Sequence, residues 1–308
     1  MRIGFHMKFT VVGHTTVDLI YVAKHPTRPT PGGPSVYASM TALRLGCESM
    51  PVSKVGYDFP EEFMVWLSKS QLNTNFYVRD LNSKTTRFKL VYGNSGRTLK
   101  LLSLCSPIAP NELVNLPKVE LAHVGSVAGE VGLDTLKALR IKAQMLSIDV
   151  QGFIRKFKVD GEVYEEGPLN PEILSNADIV KLSMKEAEAL TGASDPMEAV
   201  KKLGKMHRGV VLLTLGELGS LCTTACRILR SPPYKPPKFV DPTGAGDSFT
   251  AGFTVEFFRS GDLDWSLAVA SAASSFVTEG YGPSRFGLKN EVYERAETLI
   301  DKIKKLSF

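Results

Sequence analysis

The sequence predicts an α/β protein with a doubly wound, mostly parallel sheet flanked by helices. Three observations predict it. Short apolar, β-branched runs recur at KFTVVG (8–13), PVSKVG (51–56), LAHVG (121–125), MLSIDV (145–150), ADIVKL (177–182) and GVVLLTLG (209–216). Stretches of helical spacing separate most of them, and strands that alternate with helices pair in parallel under a helical layer on each face. The third observation is an interruption. TTRFKLVYGNSGRTLKLLSLC (85–105) holds two alternating runs around GNSG, a hairpin signal, and an antiparallel ribbon in such a fold lies at an edge or forms a flap.

Each element has a local reason. KFTVVG ends in glycine and reads as a buried strand. In PGGPSVYASMTALRLG (31–46), Pro34 suits a first helical turn, Val36, Met40 and Leu43 share a face, and Gly46 stops the helix. EEFMVWLSKSQ (61–71) and stretches 132–144, 183–191 and 196–207 read as further helices. The prolines of SPPYKPPKF (231–239) disfavour helix and predict an extended segment. KNEVYERAETLIDKIKKLSF mixes charges at helical spacing, which predicts a solvated C-terminal helix. Met7 stands just before the first strand, so residues 1–6 read as an addition or an upstream start.

Composition narrows the function. The 308 residues are 43% hydrophobic, enough for a sizeable core that one α/β domain can fill. The net charge of +5 suits phosphorylated ligands, but no dense basic stripe with interleaved aromatics points to nucleic acid. Cys47, Cys105, Cys222 and Cys226 make no disulfide framework, and the CxxxC of the last two lacks further metal ligands. They read as reduced small hydrophobes of a cytoplasmic protein, with no signal peptide and no membrane span. Neither a dinucleotide fingerprint nor a P-loop is present: the first strand runs into GHTTVD.

One stretch carries chemistry. In DPTGAGDSFTAGF (241–253), Pro242 and Gly244 break the preceding structure, and Phe249, Phe253 and Phe257 then repeat at helical spacing. Gly244 and Gly246 leave the backbone amides at the helix start bare, an anion site reinforced by the helix dipole. Asp247 stands beside it, either as a favourable first-turn acid or as a working base. A carboxylate next to an anion hole suits phosphoryl transfer, taking a proton from an attacking hydroxyl while the amides hold the moving group.

This stretch resembles the signature of the ribokinase-like carbohydrate kinases, the PfkB family, which reads close to DTxGAGDxF; Asp241, Gly244, Ala245, Gly246, Asp247 and Phe249 match it. The resemblance implies that Asp247 is the catalytic base and that Gly244, Ala245 and Gly246 form the anion hole. It extends over nearly the whole chain and implies one ribokinase-like domain, 1–308, with a small β lid from about 85–104 and part of 19–31. VVGHTTVDLI (11–20) is similar to the family's first strand, placing Asp18, with Thr16, at substrate hydroxyls; a turn residue is the plainer reading of Asp18. PGGPSVYAS resembles the family's double-glycine motif, with Gly32 and Gly33 against the substrate. TLGELGS (214–220) resembles its nucleotide-contacting turn, implying Thr214, Gly216 and Gly219 near ATP, and reads equally as a hairpin turn.

Two positions depart from the family. Ser183 replaces the Asn of its NxxE motif while Glu186 is kept, which implies Mg²⁺ positioned by Glu186 through water; Ser-x-x-Glu is also a capping box. Tyr37 stands where sugar kinases carry an Asn that reads hydroxyls, and reads equally as a core residue. With GRTLKLLSLCSPI (96–108), DVQGFIR (149–155) and KLS (181–183), the aromatic at 37 resembles the inositol kinase branch. That implies an ATP-dependent, Mg²⁺-requiring kinase for a hydroxyl of a small polyol, myo-inositol first, with Gln151 and Arg155 at the acceptor. Arg155, like Arg87 and Arg97, reads also as a surface cation. A sugar or nucleoside acceptor is the alternative within the family; a sensor that binds without catalysis is the alternative outside it. The expected assembly is a monomer or homodimer, without nucleic acid or membrane.

Overall fold

Nine strands, among the described residues, form the central sheet of the computed structural model, which describes residues 7–22, 25–26, 28–93 and 96–307. Their order is Lys304–Leu306, Ile228–Ser231, Ser220–Thr223, Val210–Thr214, Ile179–Ser183, Ala143–Asp149, Val119–Val124, Lys8–Val12 and Glu48–Ser49. All pairings from Val210–Thr214 to Glu48–Ser49 are parallel, and the three beyond are antiparallel. The apolar runs are continuous because both faces are covered. Ala122, Val180 and Leu213 turn to one helical layer, with Leu136, Leu139, Ala187 and Leu203. Their neighbours Leu121, Ile179 and Leu212 turn to the other, built on Ala251, Phe253, Val255, Leu267 and Val292.

Three parts differ from expectation. The run at 51–56 joins the series only at its start, where Val52 bridges Val12 in parallel; its Ser53–Gly56 segment pairs with Tyr77–Asp80 in a separate sheet. Residues 48–52 occupy the edge of Lys8–Val12 first, through Met50 N–H to Phe9 O (2.9 Å) and Val52 N–H to Val11 O (2.8 Å). The C-terminal helix stops at Ile300, and Lys304–Leu306 closes the edge of Ile228–Ser231. Such an edge presents unpaired backbone groups that the last residues satisfy. Leu263–Val277, a helix buried on nearly every side between Ala245–Ser260 and Lys289–Ile300, had no helical period to reveal it. Cys47, Cys105 and Cys222 are buried as expected, whereas Cys226 is exposed.

A second sheet stands beside the first. Thr16–Val22 pairs in parallel with Arg87–Gly93 and antiparallel with His25–Pro26 and Thr30–Gly32. Arg87–Gly93 and Gly96–Ser103 form the expected antiparallel ribbon; the centre of its GNSG turn lies outside the described residues. Fully buried His14 joins the two sheets. Its Nε2 donates to the Ser106 carbonyl (3.0 Å), so Nδ1 accepts from Thr86 Oγ1 (2.8 Å). Burial lowers its pKa, which keeps the ring neutral for that double role. Among the described residues no helix is long and apolar enough to cross a membrane.

Candidate active site

The segment 241–253 folds as its composition requires. Gly244 caps the Ala245–Ser260 helix at φ 79°. Only glycine fits there, because a β-carbon would be strained by that φ and would also overlap the Tyr37 ring. Behind it Phe249 and Phe253 are buried, and the Phe253 and Phe257 rings stack at 5.5 Å. Ser248 N–H donates to Gly244 O (3.0 Å), while no described group accepts from the Gly246 and Asp247 amides. Ala245 corrects the expected anion hole: its N–H donates to Pro242 O (3.1 Å), closing the turn, so it is not an open donor in this structure.

These amides face a cavity of about 1250 Å³ at the carboxyl ends of Ala143–Asp149, Ile179–Ser183 and Val210–Thr214. Ligands of open α/β sheets bind at this edge. Asp247 opens on the cavity, and no described group hydrogen-bonds its carboxylate. Burial pushes that carboxyl up to about 7, Asp149 adds to the rise, and Lys181 and Arg155 oppose it. A carboxylate so poised can accept a proton near neutral pH. Below it Lys181 Nζ holds Asp149 Oδ2 at 2.8 Å, with the two side chains 6% and 1% exposed. Burial disfavours the ammonium, but Asp149 and Glu186 outweigh it and raise the Lys181 pKa. Lys181 therefore stays charged 3.2 Å from where a β-carbon on Gly246 would sit, under the open amides.

On one side of Asp247 the cavity is lined by Thr16, Asp18, Gly33, Tyr37, Gln151 and Arg155, together with the apolar Phe88, Leu90 and Val127. Thr16 Oγ1 donates to Asp18 Oδ1 (2.8 Å), and Arg155 Nη2 donates to Gln151 Oε1 (2.8 Å). Gly32 is not exposed to the cavity; the Asp18 carboxylate covers it. Tyr37 is 1% exposed, yet its hydroxyl has no hydrogen-bond partner in the structure. Burial, then Asp18, Asp241 and Asp247, raise its pKa far above the ordinary value, so it remains a neutral phenol.

On the other side stand Ser183, Glu186, Thr214, Gly216 and Gly219, then Tyr234, Phe239 and Ser275. The stretch 214–220 is indeed a hairpin turn: Val210–Thr214 and Ser220–Thr223 pair antiparallel around Gly216–Leu218. Ser183 and Glu186 form the capping box, with Ser183 N–H donating to Glu186 Oε2 (2.6 Å). Among the described residues no cluster of three or more His, Cys, Asp or Glu converges. A hard cation held by one carboxylate and the phosphates of its ligand fits Glu186, which lines the cavity with one oxygen taken by the cap.

The comparisons with known proteins decide the family. A model for pfkB family carbohydrate kinases matches residues 7–289. The chain belongs to the pfkB family. The chain is 27% identical over 286 residues to a cytidine kinase of Thermococcus kodakarensis, covering 90% of this chain and 98% of that one. It is 28% identical over 312 residues to an inositol 3-kinase of Arabidopsis thaliana, covering 92% and 79%. A pyrophosphate-dependent kinase in the ribokinase family, complexed with a pyrophosphate analog and myo-inositol, shares the fold at a TM-score of 0.80 and 23% identity, covering 93% of this chain and 99% of that one.

As a pfkB kinase the chain is a phosphotransferase with a hydroxyl acceptor. Every expected site residue of this kinase lines the cavity except Gly32. Arg87 is drawn off to Asp58 (Oδ2 at 3.0 Å), and the Arg97 side chain lies outside the described residues. Sequence reasoning missed the Lys181–Asp149 pair, although both stand in quoted motifs, KLS and DVQGFIR. A lone Asp ending one strand and a lone Lys in the middle of another carry no signal until the parallel pairing Asp149↔Lys181 brings them together.

Proposed function

We propose that this pfkB kinase transfers the γ-phosphoryl group of ATP to a hydroxyl of a polyol, with myo-inositol as the preferred acceptor. The observation that carries the reading is the unbonded Asp247 carboxylate beside the open amides of Gly246 and Asp247, facing one large cavity. The acceptor lies against Asp18, Tyr37, Gln151 and Arg155, and its reacting hydroxyl reaches Asp247, which takes the proton. The donor lies against Thr214, Gly216 and Gly219, its terminal phosphoryl group at the open amides above Lys181. When bound, Mg²⁺ would neutralise phosphate charge and be held by Glu186 through water. The second sheet and its ribbon act as the lid of a single domain, closing on the acceptor to exclude water and prevent idle hydrolysis.

Two things support a cyclic polyol. The wall formed by Phe88, Leu90 and Val127 suits the apolar face of a ring, while Asp18 and the unpaired Tyr37 hydroxyl suit its alcohols. Relatives named as inositol 3-kinases point the same way. A nucleoside acceptor is the second reading, favoured by the relative named as a cytidine kinase. The cavity lining also includes the rings of Tyr234 and Phe239 and the hydroxyl of Ser275, groups that suit a base and its sugar, which supports ATP over pyrophosphate.

Product release is the test: myo-inositol, other cyclitols, hexoses, ribose and nucleosides are each offered with ATP and with pyrophosphate. Turnover highest with myo-inositol and ATP is expected. A clear preference for a nucleoside removes the inositol assignment, and preference for pyrophosphate removes the donor assignment; both leave the kinase reading standing.

A further inference from the structure

The ribbon strand Arg87–Gly93 shows alternate side chains to the site. Phe88 and Leu90 line the cavity, and Tyr92 is next on the same face of the strand. The Tyr92 hydroxyl donates to Asp241 Oδ1 (2.9 Å) and lies 2.9 Å from Thr243 Oγ1. Asp241 is 1% exposed, and its Oδ1 also accepts Thr243 N–H (3.0 Å) and Thr243 Oγ1–H (2.6 Å). Its Oδ2 accepts Gly282 N–H (3.3 Å). One buried carboxylate thus gathers the ribbon, the turn before Gly244, and the loop that follows Leu263–Val277.

The pairing makes this more than a brace. In the ladder between Thr16–Val22 and Arg87–Gly93, Asp18 stands opposite Phe88 and Val22 opposite Tyr92. The same two strands therefore carry the proposed acceptor carboxylate at one end and the tie to the Gly244 turn at the other. A shift of the ladder that moves Asp18 also pulls on the oxygen that orders Thr243, one residue before the cap of the catalytic helix.

We propose that Tyr92 is a positioning residue that couples the seat of the acceptor to the turn presenting the Gly246 and Asp247 amides. The proposal rests on reading those amides as the holder of the transferring phosphoryl group. A group held there only in the transition state affects kcat more than acceptor KM.

The test is Tyr92→Phe in the full chain, which keeps the ring and removes the hydroxyl. Hydrogen exchange in 241–247 and 279–283 is expected to rise several-fold while the melting temperature moves by no more than a few degrees. On the best acceptor, kcat is expected to fall about tenfold, the scale for losing a hydrogen bond to a charged acceptor, with acceptor KM little changed. The exchange measurement needs no substrate, so it tests the coupling even where the kinase reading fails. Exchange at 241–247 equal to that of the parent, or an unchanged kcat in an active enzyme, overturns the proposal. A fall in melting temperature without either effect also overturns it, because Tyr92 is then a structural brace alone.

Discussion

Asp247→Asn should make the protein both slower and more stable, and the second effect depends on pH in a calculable direction. Burial, with Asp149, carries the Asp247 carboxyl from 3.8 to about 7. A rise of that size is worth about 4 kcal/mol of differential interaction between its two protonation states. The folded-state value lies above the unfolded one, so the folded chain binds the extra proton between these limits. The stability this contributes is complete below pH 3.8, is lost as pH rises through about 7, and leaves an ionised carboxylate in a poor solvent above that. Because the group opens on the cavity, we expect about half of the full value, roughly 2 kcal/mol and a few degrees in melting temperature at pH 8. Asparagine carries no charge and removes this cost at pH 8, whereas at pH 4 the parent carboxyl is already protonated and the two proteins should melt together. Turnover should fall by roughly 10²–10⁴, the contribution of a positioned base. Parent kcat/KM should lose activity on the acid side with an apparent pKa of about 7. Calorimetry at both pH values and an ADP-release assay measure the pair of effects. Near-normal turnover removes Asp247 from the chemistry, and an equal melting shift at pH 4 and pH 8 removes the ionisation argument.

Two further substitutions probe the walls. Tyr37→Phe deletes a buried hydroxyl with no partner in the structure. It should stabilise the unliganded protein by about 1 kcal/mol while raising acceptor KM roughly tenfold, read by denaturant unfolding and steady-state kinetics. Lys181→Met strands the buried Asp149 carboxylate and should cost about 3–5 kcal/mol in urea unfolding. Adding Asp149→Asn should recover much of it; no recovery would mean that the pair is not the source of the loss.

Local residue chemistry was enough wherever neighbours in sequence are neighbours in space. The Pro34–Arg44 helix, the ribbon around GNSG and the Ser183–Glu186 cap were legible because their signals lie within a turn or two. So was the site segment: a left-handed glycine, bare amides and an acid in the first helical turn all sit within residues 244–247. Tyr37 was half legible. Its type and position suggested two roles; burial bears out the core reading, and the unpaired hydroxyl beside three carboxylates is what supports the proposed contact with the acceptor.

By itself the sequence determined the alternation of strand and helix, hence a covered parallel sheet, and it determined which segment brings an acid to a helix N-terminus. Tertiary structure alone decided what surrounds that acid. Lys181 meets Asp149 only through strand register, Tyr92 meets Asp241 only where a second sheet folds over the first, and the Ala245 amide is lost to Pro242 through the shape of one turn. The physical reason is range. Propensity and capping act over a few residues, whereas desolvation and charge pairing depend on which distant atoms share a space from which water is excluded.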